Sequence, residues 1–115
     1  MATNQAISLN EKNDENVKVT ITTNVPTDGT ILDITGKTIE AFLKPSKATD
    51  DADGAVWKGS TATTGVTITD APNGKCTVSI PAASVLTTMG WWRVDVLSGG
   101  LRKTAIYGTV TVVDL

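Results

Sequence analysis

The segment Gly65–Ile80, GVTITDAPNGKCTVSI, limits the fold of this chain more than any other. Val66 and Ile68 alternate with Thr67 and Thr69, and Cys76, Val78 and Ile80 alternate with Thr77 and Ser79. A period of two places each apolar set on one face of a strand. Between the two runs lies Asp70-Ala71-Pro72-Asn73-Gly74, in which Pro72 presets φ and Asn73-Gly74 suits the left-handed conformations of a hairpin turn. Two Thr-rich strands joined in this way predict an all-β chain.

The same alternation recurs elsewhere. Val17, Val19 and Ile21 share one face of a strand over 17–22, and Ile39, Ala41 and Leu43 share one face of a strand over 38–44, with Phe42 on the other. Asn24–Gly29 reads as a turn, and Ile31–Ile34 as a short apolar piece. Pro45 ends its strand, Ser46–Gly54 is a polar loop, and Ala55–Lys58 is a short strand with Val56 or Trp57 toward the core. Pro81–Thr88 is the one helical candidate, one or two turns long. Trp92, Val94 and Val96 share a face of the strand over 91–97. Ser98-Gly99-Gly100 is a hairpin turn, and the last strand, Leu101–Val113, is expected to bend near Gly108. Short strands separated by turn signals at intervals of about ten residues predict an immunoglobulin-like antiparallel β-sandwich with at most one short helical turn. Its inward residues are Val19, Ile21, Ile39, Ala41, Val66, Ile68, Val78, Ile80, Trp92, Val94, Val96, Val110 and Val112. Residues 1–16 are polar and weakly patterned, with no evident turn to fold them back. They read as an N-terminal arm before a sandwich domain over 17–115, and Ala6-Ile7-Ser8-Leu9 can form a short edge strand.

At 115 residues the chain can bury a workable core as one domain. Its net charge is −2 and its Lys and Arg are scattered, which argues against a nucleic-acid partner. Residues 1–10, MATNQAISLN, have neither the basic start nor the apolar run of a signal peptide, and no stretch has the length of a membrane-spanning helix. A soluble protein made in a cytoplasm, without membrane partners, is expected. The single cysteine, Cys76, cannot form an intrachain disulfide; its phase with Val78 and Ile80 makes it a small core hydrophobe. The chain has no His to serve as base for a thiol nucleophile.

Candidate sites are few. In Asp50-Asp51-Ala52-Asp53-Gly54, Asp51, Asp53 and Gly54 match the third, fifth and sixth positions of a calcium loop. Thr49 and Ser60 then occupy its first and twelfth positions, so a solvated acidic loop without metal is expected. Glu40, Arg93, Asp95, Arg102 and Lys103 sit among alternating strand residues; their spacing converges no pair of carboxylates on a cleft, and cross-strand charge pairs on a solvent face are expected. Gly99-Gly100 joins strand to strand and is no phosphate loop. No catalytic residues, cofactor or enzymatic activity are expected. In Trp91-Trp92 one indole must enter the core while the other lies outside, over a sheet edge or in an interface.

Taken in order, Ile34–Lys44, Gly65–Lys75, Val78-Ser79-Ile80-Pro81, Gly90–Val96 and Gly108–Val112 resemble the small immunoglobulin-like modules of tailed-phage virions, among them the N-terminal modules of baseplate upper proteins and related minor structural proteins. In those modules a strand of the type dltG-t-v-a-l precedes a GvtI-D-a-tGkvtv-ip hairpin, a G-yryDv strand and a closing GtftV strand. The resemblance spans about residues 17–113. This chain departs from it in carrying Trp91-Trp92 where one small or aromatic residue is usual, and in ending at Leu115 where baseplate proteins continue.

The resemblance implies a non-enzymatic virion structural protein. Its most concrete form is a capsid-decorating or cementing protein that binds the assembled shell through its arm or a sheet edge, with Ile7, Leu9 and Trp91 at the contact. Partners would be the major capsid protein or tail and baseplate proteins, and further copies of itself. A tail or baseplate accessory is the alternative in that class. A carbohydrate- or cell-surface-binding module with an exposed Trp as sugar platform is the alternative in another.

Overall fold

A computed structural model of the protein describes residues 3–22 and 31–114. The expected turn over Asn24–Gly29 lies outside the described residues. The strands are β1 (Thr3–Asn4), β2 (Ile7–Asn10), β3 (Glu15–Thr20), β4 (Thr38–Lys44), β5 (Trp57–Ser60), β6 (Val66–Asp70), β7 (Lys75–Ile80), β8 (Trp91–Ser98) and β9 (Leu101–Val113). The larger sheet runs β1-β9-β8-β4-β5, with β2 beside β1 on the same edge of β9; the smaller runs β3-β7-β6. The chain changes sheets between β2 and β3, between β3 and β4, between β5 and β6, and between β7 and β8. This is the strand arrangement of an immunoglobulin-like β-sandwich.

Alternation places the core as expected. Val19, Ile21, Ile39, Ala41, Val66, Val78, Ile80, Trp92, Val94, Val96 and Val110 are buried, and Ile68 and Val112 are half-buried against the same cluster. Leu9, Ile34, Leu43, Val85, Met89, Ala105 and Ile106 belong to the same cluster. Cys76 lies inside, and burial pushes its thiol up to about 11, so it carries no thiolate at neutral pH. Trp57, not Val56, packs on the core. Its indole lies over Gly59 and Gly65, where an added Cβ would come within 2.7 and 2.9 Å of the ring.

The Gly65–Ile80 hairpin forms as read, with a difference in its turn. Ala71–Asn73 makes one 3-10 turn, and only Gly74 is left-handed, at φ 68°. Asn73 instead donates through Nδ2 to Asp70 at 2.8 Å. The turn docks against the chain ahead of β4: Ile21 N–H donates to the Gly74 carbonyl and Ile34 N–H to that of Ala71. The helical candidate reduces to a 3-10 turn, Ala82–Ser84, which leads Val85 into the core.

Three features differ from the expectation, and each affects the outer surface. The N-terminal segment is folded back. β1 and β2 pair with β9 in parallel, Thr3 opposite Ile106 and Ile7 opposite Val110, so the sandwich is not wholly antiparallel. The reversal occurs in Glu11–Asp14, where Lys12 takes φ 59°. Residues 15 and 16 already belong to β3, which places the end of the arm earlier than residue 16.

The irregularity in β9 lies at Ala105 rather than Gly108. Val94 faces Ile106 but Asp95 faces Thr104, so Ala105 is the extra residue of a β-bulge. Gly108 has another purpose: a Cβ there would collide with the Gln5 carbonyl, so glycine lets the arm lie flat on β9.

A charged outer sheet face with an aromatic corner

Strand parity sorts the residues of the larger sheet. Glu40, Phe42 and Lys44 of β4 point outward, as do Trp91, Arg93 and Asp95 of β8. Counted back from Ile106, unbroken alternation would turn Thr104 and Arg102 inward. The bulge at Ala105 shifts the phase by one residue and brings both outward, opposite Asp95 and Leu97.

Asp95 is then fully buried on the outer face of the sheet. Its oxygens accept from Arg93 Nε at 3.0 and 3.1 Å, from Arg102 Nη1 at 2.8 Å and from the Thr104 hydroxyl at 2.9 Å. Glu40 lies directly opposite Asp95 in the ladder, a like-charge pairing that is unfavourable by itself. Arg102 spans the two, giving Nη2 to Glu40 at 2.6 Å while Nη1 holds Asp95. Phe42 is only 3% exposed although it faces outward. Arg93 Cζ sits 4.4 Å from its ring centroid, with Lys58 and Arg102 farther out at 5.6 and 5.8 Å. The expected cross-strand charge pairs are therefore present, but they form one plate over a buried aromatic. The carboxylates of Glu40 and Asp95 do come together, which sequence spacing did not indicate. Arg102 is fixed between them and ties the two carboxylates together.

The acidic loop joins this plate. Asp50 and Asp53 accept from the amides of Ala52 and Ala55 and stabilise turns, while Asp51 reaches Lys44 Nζ at 2.6 Å and Arg93 Nη2 at 2.6 Å. The Arg93 hydrogen bond, with that of Lys44 behind it, holds the Asp51 carboxyl at about 2 against an ordinary 3.8. A carboxyl held low in the folded state adds stability above its unfolded value and loses that part as pH falls through the folded one. Asp51→Asn is thus expected to remove part of the acid dependence of Tm between about pH 4 and pH 2, and to leave its neutral-pH slope unchanged. Because the Asp51 side chain is 41% exposed, the effect is small, under about 1 kcal/mol. Melting curves of both proteins from pH 2 to 7 check it; parallel acid limbs would refute the coupling.

The residues expected at an interface are divided by the sheet. Leu9 is 3% exposed and belongs to the core, and Ile7 is half-buried against the same core, both turned inward beside Val112 and Val110. Leu9 thus belongs to the core of the single chain, and the arm that carries it closes the sandwich. Trp92 is the inner indole, and its Nε1 donates to the Gln5 carbonyl at 2.7 Å. Trp91 is the outer one. It lies half-buried next to Tyr107, ring centroids 5.7 Å apart, with Lys47 Nζ 5.5 Å from its ring. This corner joins the charged plate through Lys44, the ladder partner of Trp91.

Phe42 at outward parity and the cross-strand charges of Glu40, Arg93, Asp95 and Arg102 were the sequence signs of the plate. Among the described residues no cluster of His, Cys, Asp and Glu is arranged to hold a metal ion. Strand order and core define the protein as an immunoglobulin-like β-sandwich with a charged outer face. It matches no protein-family model and no curated protein.

Proposed function

We propose that the protein is a non-enzymatic structural component of a tailed-phage virion that decorates the assembled capsid shell. One observation carries this reading. The segments that resemble phage virion modules fall on β4, the β6–β7 hairpin, β8 and the end of β9, all parts of one sandwich. The outer face supports it. Its anions are bound by its own cations, which suits a stiff docking plate better than acid–base chemistry. The contact is assigned to the corner of Trp91, Tyr107 and Lys47, since half-exposed aromatics beside cations favour interfaces. Many copies on a symmetric shell would convert a small contact into firm attachment.

The test uses gradient-purified particles of the virus that encodes the chain. Labelled antibody viewed by electron microscopy is expected to mark the capsid shell, and added Trp91→Ala protein is expected to bind undecorated shells less than the wild type. Label confined to the tail would transfer the role to a tail or baseplate accessory. Absence from particles would refute the virion assignment.

A further inference from the structure

We infer that the arm Thr3–Asn10 exchanges between two copies of this chain, each copy's β9 taking up the other's arm. The inference concerns the chain alone, so it stands or falls separately from the virion assignment.

The contacts that fix the register of the arm lie on β8 and β9. The parallel ladder runs along β9, Gln5 N–H donates to the Tyr107 carbonyl at 2.8 Å, and Trp92 Nε1 donates to the Gln5 carbonyl at 2.7 Å. Gly108 leaves the space in which the Gln5 backbone lies. None of these contacts depends on which copy supplies the arm. A vacant receptor is a poor end state: it would leave a buried indole N–H without its acceptor and uncover the core site of Leu9. An arm that leaves is therefore replaced by another arm, and the only identical segment belongs to a second copy.

The link Glu11–Asp14 supplies the driving force. It is four residues long and must turn the chain from the larger sheet into β3 of the smaller. Lys12 adopts φ 59°, and it is the one non-glycine residue at positive φ among those described. This conformation is disfavoured for a lysine, and extending the link into a neighbouring copy releases it. The closed form is held in turn by Asn10 N–H donating to Glu15 Oε1 at 2.9 Å and Lys12 N–H to the Val85 carbonyl at 3.0 Å. Strain thus favours exchange and these bonds oppose it, so the balance can be moved both ways. A higher concentration of the chain favours the exchanged form by mass action.

Ile7 and Val110 are register partners across β2 and β9. Copies carrying Ile7→Cys are mixed with copies carrying Val110→Cys under mild oxidation, and the covalent heterodimer is measured. It is expected to accumulate with concentration. Lys12→Gly, which relieves the closed link, should lower the exchanged fraction at least about threefold. Glu15→Ala, which removes a bond of the closed form, should raise it. Sedimentation of the wild-type chain gives a second measure without added cysteines. A protein that stays monomeric up to millimolar concentration, or a dimer that responds to neither Lys12→Gly nor Glu15→Ala, would overturn the inference.

Discussion

Val94→Asp is expected to leave no cooperative unfolding transition at 25 °C. Val94 is fully buried at the middle of β8, between Ala41 of β4 and Ile106 of β9, which are 1% and 2% exposed. Both neighbours on this inward face are aliphatic, so neither offers a new carboxylate a partner. Burying it unpaired costs several kcal/mol, comparable to the whole stability of about 5–15 kcal/mol of such a domain. Near-UV circular dichroism should lose its tryptophan signals, because Trp92 depends on the same core. Val94→Ala removes only methyl groups and should remain folded with a lower Tm. A Val94→Asp protein that melts cooperatively near the wild-type Tm would show that β8 does not occupy the centre of the sandwich.

Asp95→Ala, one residue along, is expected to cost about 2–4 kcal/mol and to lower Tm by roughly 10–20 °C. The substitution removes every bond described above for a fully buried carboxylate and leaves Arg93 and Arg102 facing each other over Phe42. Arg102→Ala should cost less, about 1 kcal/mol, because its side chain is 43% exposed and Asp95 keeps Arg93 and Thr104. Urea titrations with unchanged m-values measure both. Equal losses below about 0.5 kcal/mol would reduce the plate to ordinary surface ion pairs.

These two neighbours also mark what the sequence made legible. Val94 follows from alternation alone, as do the other inward strand residues, because burial of one sheet face imposes a period of two that a single chain displays. The surroundings of Asp95 do not follow. They depend on the bulge at Ala105, and no residue there announces it: read in phase with Ile106 and Val110, Thr104 and Arg102 would enter the core. The ties from Asp51 to Lys44 and Arg93 depend on a loop path that pattern does not encode. The arm was obscured for a related reason. A reversal in Glu11–Asp14 is usually marked by glycine or asparagine at the left-handed position, and this one uses Lys12. Parallel pairing with β9 joins residues about a hundred positions apart, which no local window can relate.

That pairing also has a consequence for biosynthesis. Among the described strands β1 and β2 are made before the others, yet their partner β9 is made after all of them. Until β9 emerges, Ile7 and Leu9 have no sheet to join, and β8 lacks one of its two neighbours. The sandwich can therefore close only after β9 has been made, in the slow regime of folds dominated by distant contacts. Nascent chains on one polysome would hold unfilled strand edges close together during that delay, and the partner that reaches a given edge first would be decided by chain spacing as well as by sequence.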